Sequence, residues 1–114
     1  MSVNAKIEST HLGFEDHGIM TFWITLNYGG SHQGFGGYAL DNPQDGKRVP
    51  TVLVGHAVQR ILKVVGVSKW EDLKGKYVRV KRTEVGATAI GNILENEWFD
   101  PSEEFQAIIG EASE

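Results

Sequence analysis

The segment Lys76-Tyr-Val-Arg-Val-Lys-Arg82 places Tyr77, Arg79 and Lys81 at alternate positions, on one face of an extended strand. Cations interleaved with an aromatic ring suit a phosphate backbone and a stacked base. A solvated strand face is the competing reading. Lys74, Lys69, Arg60 and Lys63 can extend the patch. A second set of rings comes earlier: Trp23 stands among Thr21, Thr25 and Asn27, and Tyr28, Phe35 and Tyr38 lie in or near a glycine-rich stretch. Rings on a polar sheet face make a stacking platform, or a small second core beneath a C-terminal helix. With His32 from the same stretch, the candidate binding residues are Trp23, Tyr28, His32, Phe35, Tyr38, Tyr77, Arg79 and Lys81.

Residues 28–40 hold Gly29, Gly30, Gly34, Gly36 and Gly37, whose freed amides can approach a phosphate. The spacing is neither the dinucleotide fingerprint nor the phosphate loop, and a loop follows rather than a helix. A bent strand with a bulge accounts for it as well. His11, Glu15, Asp16 and His17 are metal-ligand types. They lie in a turn, no His-Glu-x-x-His occurs, and we expect no metal site. Glu95, Glu97 and Asp100 can be read as paired carboxylates on a strand face, or as a solvated acidic edge. No serine lies in Gly-x-Ser-x-Gly, and no nucleophile–base spacing appears. The expectation is therefore no enzyme and no cofactor.

These side chains need elements to hold them. Alternation predicts strands over 3–12 and 19–27, the second with Met20, Phe22, Ile24 and Leu26 on one face. A glycine-interrupted third strand follows over about 32–40, then a loop over 41–50. Val54, Ala57, Val58, Ile61, Leu62 and Val65 predict a helix over 51–65, with Gly66 as its left-handed stop. Ser68 and Glu71 have capping-box spacing, which predicts one helical turn through Leu73. Strands over 76–83 and 88–96 follow. Asp100 and Pro101 then start a helix over 101–110, and residues 111–114 fray. The order β-β-β-α-β-β-α predicts an α+β domain on a curved antiparallel sheet. It also matches the OB-fold, a five-stranded Greek-key barrel, so an OB-like barrel is one form the chain can take.

A chain of 114 residues fits one domain, and hydrophobic residues at 40% exclude wholesale disorder. With no cysteine there is no disulfide, no thiol nucleophile and no thiolate metal site. That is compatible with a cytosolic protein; no run spans a membrane, and the N-terminus lacks the apolar stretch of a secretory signal. The formal net charge of −4 is a remainder of unlike segments. Residues 1–46 sum to −4, residues 47–82 to +8 and residues 83–114 to −8. Either the acidic tail folds over the basic middle, or the middle offers a face to an anionic partner.

The phrase Ser68-Lys-Trp-Glu-Asp-Leu-Lys-Gly-Lys-Tyr-Val-Arg-Val, the apolar helix before it, and the Ala-Ile-Gly-Asn-Ile and Glu-Trp-Phe-Asp-Pro runs after it resemble small uncharacterised proteins of bacteriophages and prophages. The resemblance covers roughly residues 50–101. It implies a phage-type origin and action in the cytoplasm of a bacterial host, and transfers no catalytic residue. The sequence is therefore read as a non-enzymatic accessory binding protein, in one version a counter-defence factor. Its partner is a host or phage protein or a small ligand, with no membrane involved. The alternative is an OB-like domain binding single-stranded nucleic acid, and a metal-assisted hydrolase comes third.

Overall fold

Ala5 and Ile7 point to one side of the first strand and Asn4, Lys6 and Glu8 to the other, and this alternation makes β1 (Ser2–Phe14) the spine of the fold. A computed structural model describes residues 2–112. β1 pairs antiparallel with β2 (Met20–Asn27) over Lys6–Phe14 and with β6 (Tyr77–Thr83) over Ser2–Lys6. The register with β2 slips between Ile7 and Ser9, leaving Glu8 as the extra residue of a bulge. A bulge bends its strand, and this one lies where β1 changes partners.

β3 (His32–Gly36) adds to β2, while β7 (Gly86–Gly91) and the short β8 (Trp98–Phe99) follow β6. The sheet order is β3-β2-β1-β6-β7-β8, all neighbours antiparallel. Phe22, Ile24, Leu26, Phe35, Val78, Val80, Ile90 and Phe99 fill its inner face. Curling brings β3 close to β7, but no ladder joins these strands among the described residues. Side chains bridge the gap: the Phe35 and Phe99 rings meet edge-on at 6.2 Å. The fold is thus the predicted α+β class on an antiparallel sheet that curves without closing.

The helix α1 (Leu53–Val65) buries Leu53, Ala57, Ile61 and Val64 against this core. Thr51 Oγ1 accepts from the Leu53 amide at its start, and Gly66 stops it with φ 91°. The helix α2 (Pro101–Ala112) is capped by Asp100, whose Oδ1 accepts from the Glu103 amide. Its Phe105 is buried among the core rings. The expected fraying therefore fails at Glu111 and Ala112, which lie within α2, and beyond them falls outside the described residues.

Four expectations need correction. Residues 41–50 are not a loop but a hairpin, β4 (Asp41–Gln44) and β5 (Lys47–Pro50), turning at Asp45 and Gly46, both at positive φ. Asp-Gly in a two-residue turn is a hairpin signal that outweighs the proline beside it. The third strand ends at Gly36, because Gly36 and Gly37 take φ 128° and 82°; the chain then follows β2 irregularly to Leu40. The strand expected over 88–96 ends at Gly91: the Asn92 side chain accepts from the Leu94 and Glu95 amides and turns the chain back towards β8. The turn at Trp70–Asp72 forms as a 3₁₀ turn, but no side chain caps it, so the Ser68–Glu71 box is absent.

Candidate functional site

The outer face of the β1–β6 pair is where basic and aromatic side chains meet. Lys6 stands opposite Tyr77, Asn4 opposite Arg79 and Ser2 opposite Lys81. Because Val78 and Val80 fill the core, Tyr77, Arg79 and Lys81 must point outward. Tyr77 is 58% exposed, and no carboxylate stands in this row. Arg79 and Lys81 are nevertheless not free arms. Both lie over the Trp98 ring, the Arg79 Cζ 4.7 Å and the Lys81 Nζ 4.4 Å from its centre. Arg79 also donates from Nε to the Asn92 carbonyl at 2.6 Å and from a terminal nitrogen to that of Glu95 at 2.7 Å. Trp98 lies on Gly91, where a Cβ would fall 2.6 Å from the indole. Glycine, ring and two cations thus form a stack that fixes the charges in place.

Trp23 occupies a different stretch of the outer face. It is 44% exposed and lies over β3, where a Cβ on Gly34 or Gly37 would fall 2.9 Å or 2.4 Å from the ring. A Cβ on Gly36 would strike the Phe22 carbonyl oxygen at 2.3 Å. The glycine-rich strand is therefore the bed of an indole rather than a phosphate cradle. The second-core reading of Trp23 fails, since α2 packs on the inner rings Tyr38 and Phe99. Trp23 pairs with His11 and Arg79 with Asn4, seven positions along β1, a separation of roughly 23 Å at 3.3 Å per residue. The two aromatic features do not converge on one point.

The remaining candidates divide. Phe35 is fully buried in the core and is withdrawn as a surface binding residue. Tyr38 is part-buried, stacked on Phe22 at 6.2 Å and edge-on to Phe105 at 5.8 Å, so it anchors α2. Burial, reinforced by the Asp100 charge, raises its hydroxyl pKa above the ordinary value. Tyr28 donates its hydroxyl to Gln33 Oε1 at 2.7 Å and carries the Arg82 guanidinium 4.3 Å above its ring. Burial raises its pKa too, against the opposing pull of Arg82. His32 is exposed and contacts Glu8 at 2.5 Å. No group of three or more metal-ligand side chains gathers among the described residues. Glu95 and Glu97 stand in the turn after β7, not on a strand, and Glu97 faces Arg60 and Lys63, each at 3.6 Å.

The acidic tail does fold over part of the basic middle. Glu104 of α2 accepts from Arg60 Nε at 3.0 Å and lies 2.7 Å from His56 Nε2. Arg48 is paired with Asp41, whose carboxyl also accepts from the Met20 amide. The hydrogen bonds from Arg48 hold the Asp41 pKa below the ordinary carboxylate value. Lys69, Lys74, Lys76, Lys81 and Arg82 have no carboxylate partner among the described residues. Sequence reasoning missed Asn4 and Lys6, which reach the site only through the β1–β6 register, and the role of Trp98, which meets Gly91 only through the β7–β8 pairing.

No protein-family model, curated protein or solved structure matches this chain. No helix among the described residues is long and apolar enough to cross a membrane.

Proposed function

We propose that the chain is a non-enzymatic binding module of OB-like topology that takes a single-stranded nucleic acid across the outer face of its curved sheet. The strand order β3-β2-β1-β6-β7, with a helix between β3 and β6, parallels the OB-fold, the β4–β5 hairpin being an insertion and β8 an addition. The observation that carries the reading is the row of Lys6, Tyr77, Arg79 and Lys81, cationic and aromatic with no acid in register. Trp23, roughly 23 Å further on, offers a second ring, a span suited to a few nucleotides. The resemblance of residues 50–101 supplies the setting, the cytoplasm of a phage-infected bacterium.

The test is fluorescence anisotropy with a labelled single-stranded oligo-dT in low salt. Affinity should fall as salt rises, since phosphate neutralisation releases counterions. Trp23→Ala should cost about 1–3 kcal/mol, the usual worth of one stacked base. Absence of binding at low salt refutes the reading.

A second reading, a host or phage protein or small ligand as partner, is favoured by a different feature. Phe14, Met20, Val49, Pro50 and Val54 line a mostly apolar cleft of about 260 Å³, and Phe14 is 70% exposed beside it. An apolar reporter dye that binds the native protein, and is lost in Phe14→Ser, would support this reading over the first.

A further inference from the structure

Beside Tyr77 the outer face opens into a cleft of about 200 Å³ lined by Asn4, Lys6, Asn27, Tyr28, Gly29 and Tyr77. We infer that this cleft is a base-reading subsite that takes one adenine of a bound single strand, with Lys6 beside the flanking phosphate. The inference rests on the nucleic-acid reading above and adds a sequence preference to it.

Three properties of the cleft carry it. The first is a usable ring: Tyr77 is 58% exposed, and no cation among the described residues covers it, unlike Trp98 and Tyr28. Unstacked bases find such rings as platforms. The second is an unspent amide. Asn27 is committed, its Oδ1 accepting from the Gly29 amide at 2.7 Å and its Nδ2 donating to Glu8 at 3.4 Å. The Asn4 side chain has no hydrogen-bond partner among the described residues, and it stands one diagonal step from Tyr77 on the same face. A base lying on Tyr77 therefore presents an edge to Asn4, because diagonal neighbours in a ladder are about 7–8 Å apart. An amide offers a donor and an acceptor side by side, the complement of adenine N7 and N6. The third is charge: Lys6 stands directly opposite Tyr77, and no acidic residue lines the cleft. Glu8, the nearest acid along β1, is turned to His32 and Asn27. Gly29, at φ 105° with open space where a Cβ would stand, leaves the entrance clear.

The experiment compares labelled dA12 and dT12 by anisotropy on wild type, Asn4→Ala and Lys6→Ala, with melting curves to show that the variants fold. Asn4→Ala should lower the ratio of dA12 to dT12 affinity by about five-fold or more, the low end for a bidentate base contact. Lys6→Ala should weaken both strands alike and flatten their salt dependence. An unchanged ratio in Asn4→Ala, with both strands still bound, overturns the subsite and leaves the broader reading standing. Failure of dA12 alone to bind wild type overturns the subsite, and failure of both strands at low salt overturns both readings.

Discussion

Replacing Gly91 by alanine tests the stack that holds Arg79 and Lys81. Gly91 has no positive φ, so alanine fits the backbone, and by backbone entropy alone would stabilise the strand by about 0.4–1 kcal/mol. The added Cβ would, however, lie 2.6, 2.7 and 2.8 Å from three atoms of the Trp98 indole. The ring cannot move without disturbing Arg79 and Lys81, which lie over it at 4.7 and 4.4 Å. Overpacking of this kind costs about 1–3 kcal/mol, and each displaced cation–π contact a further ~0.5–1 kcal/mol. The net expectation is a loss of about 1–4 kcal/mol, or roughly 4–17 °C in Tm for a domain of this size. Gly86→Ala is the matched control: the same strand, no positive φ, and open space at the Cβ, so Tm should hold or rise slightly. In calorimetry, adding Trp98→Leu to Gly91→Ala should cost less than the two single changes added together. A Gly91→Ala protein melting at or above wild type would refute the stack as a rigid support. Gly91→Ala should also weaken oligonucleotide binding, since a tilted Trp98 displaces both cations.

Other consequences follow from the polar contacts. Asp41 titrates below its ordinary value because Arg48 holds it ionised, so the stability it contributes is complete above about pH 4 and is lost as pH falls further through the lowered pKa. Acid unfolding of Asp41→Asn, followed by circular dichroism, should lack that part of the pH dependence. Glu104→Ala strips the contacts to His56 and Arg60 that tie α2 to α1 and should cost about 1–2 kcal/mol in chemical denaturation. Asp100→Ala removes the α2 cap and should cost about 1 kcal/mol, rescued largely by Asp100→Asn or Asp100→Ser.

What could be read ahead of the structure was whatever depends on local pattern. Met20, Phe22, Ile24 and Leu26 declare β2 by alternation, the apolar spacing of 54–65 declares α1, and Asp100-Pro101 declares the start of α2. What could not be read depends on who lies next to whom. The glycines at 34, 36 and 37 look like a phosphate loop or a bend until Trp23 is seen lying on two of them and the Phe22 carbonyl against the third. Gly91 carries no signal at all until Trp98 lands on it. The Asn92 turn was invisible because Ile93 and Leu94 look like core residues, yet they are 39% and 87% exposed. Lys6 and Asn4 sit some seventy residues from Tyr77 and Arg79, and only the ladder of β1 with β6 makes one face of them.

Charge shows the same dependence on placement, and here it decides where a partner can bind. Pro101 starts α2 directly after β8, and Phe105 is drawn to Tyr38 and Phe99 on the core side of the sheet. The acids of α2 are carried with it: Glu104 meets His56 and Arg60 of α1 and cannot also serve the outer face. Arg79 is met by the Trp98 ring and by two carbonyls, which orient its guanidinium without cancelling its charge. The molecule is 31 Å across its shorter dimensions, whereas charges in physiological salt are screened beyond roughly 8 Å. A phosphate approaching Lys6, Tyr77 and Lys81 therefore feels those neighbours and little of the acids on the far side. The formal charge of −4 describes the whole chain; what a single strand would meet on the outer face of β1 and β6 is positive.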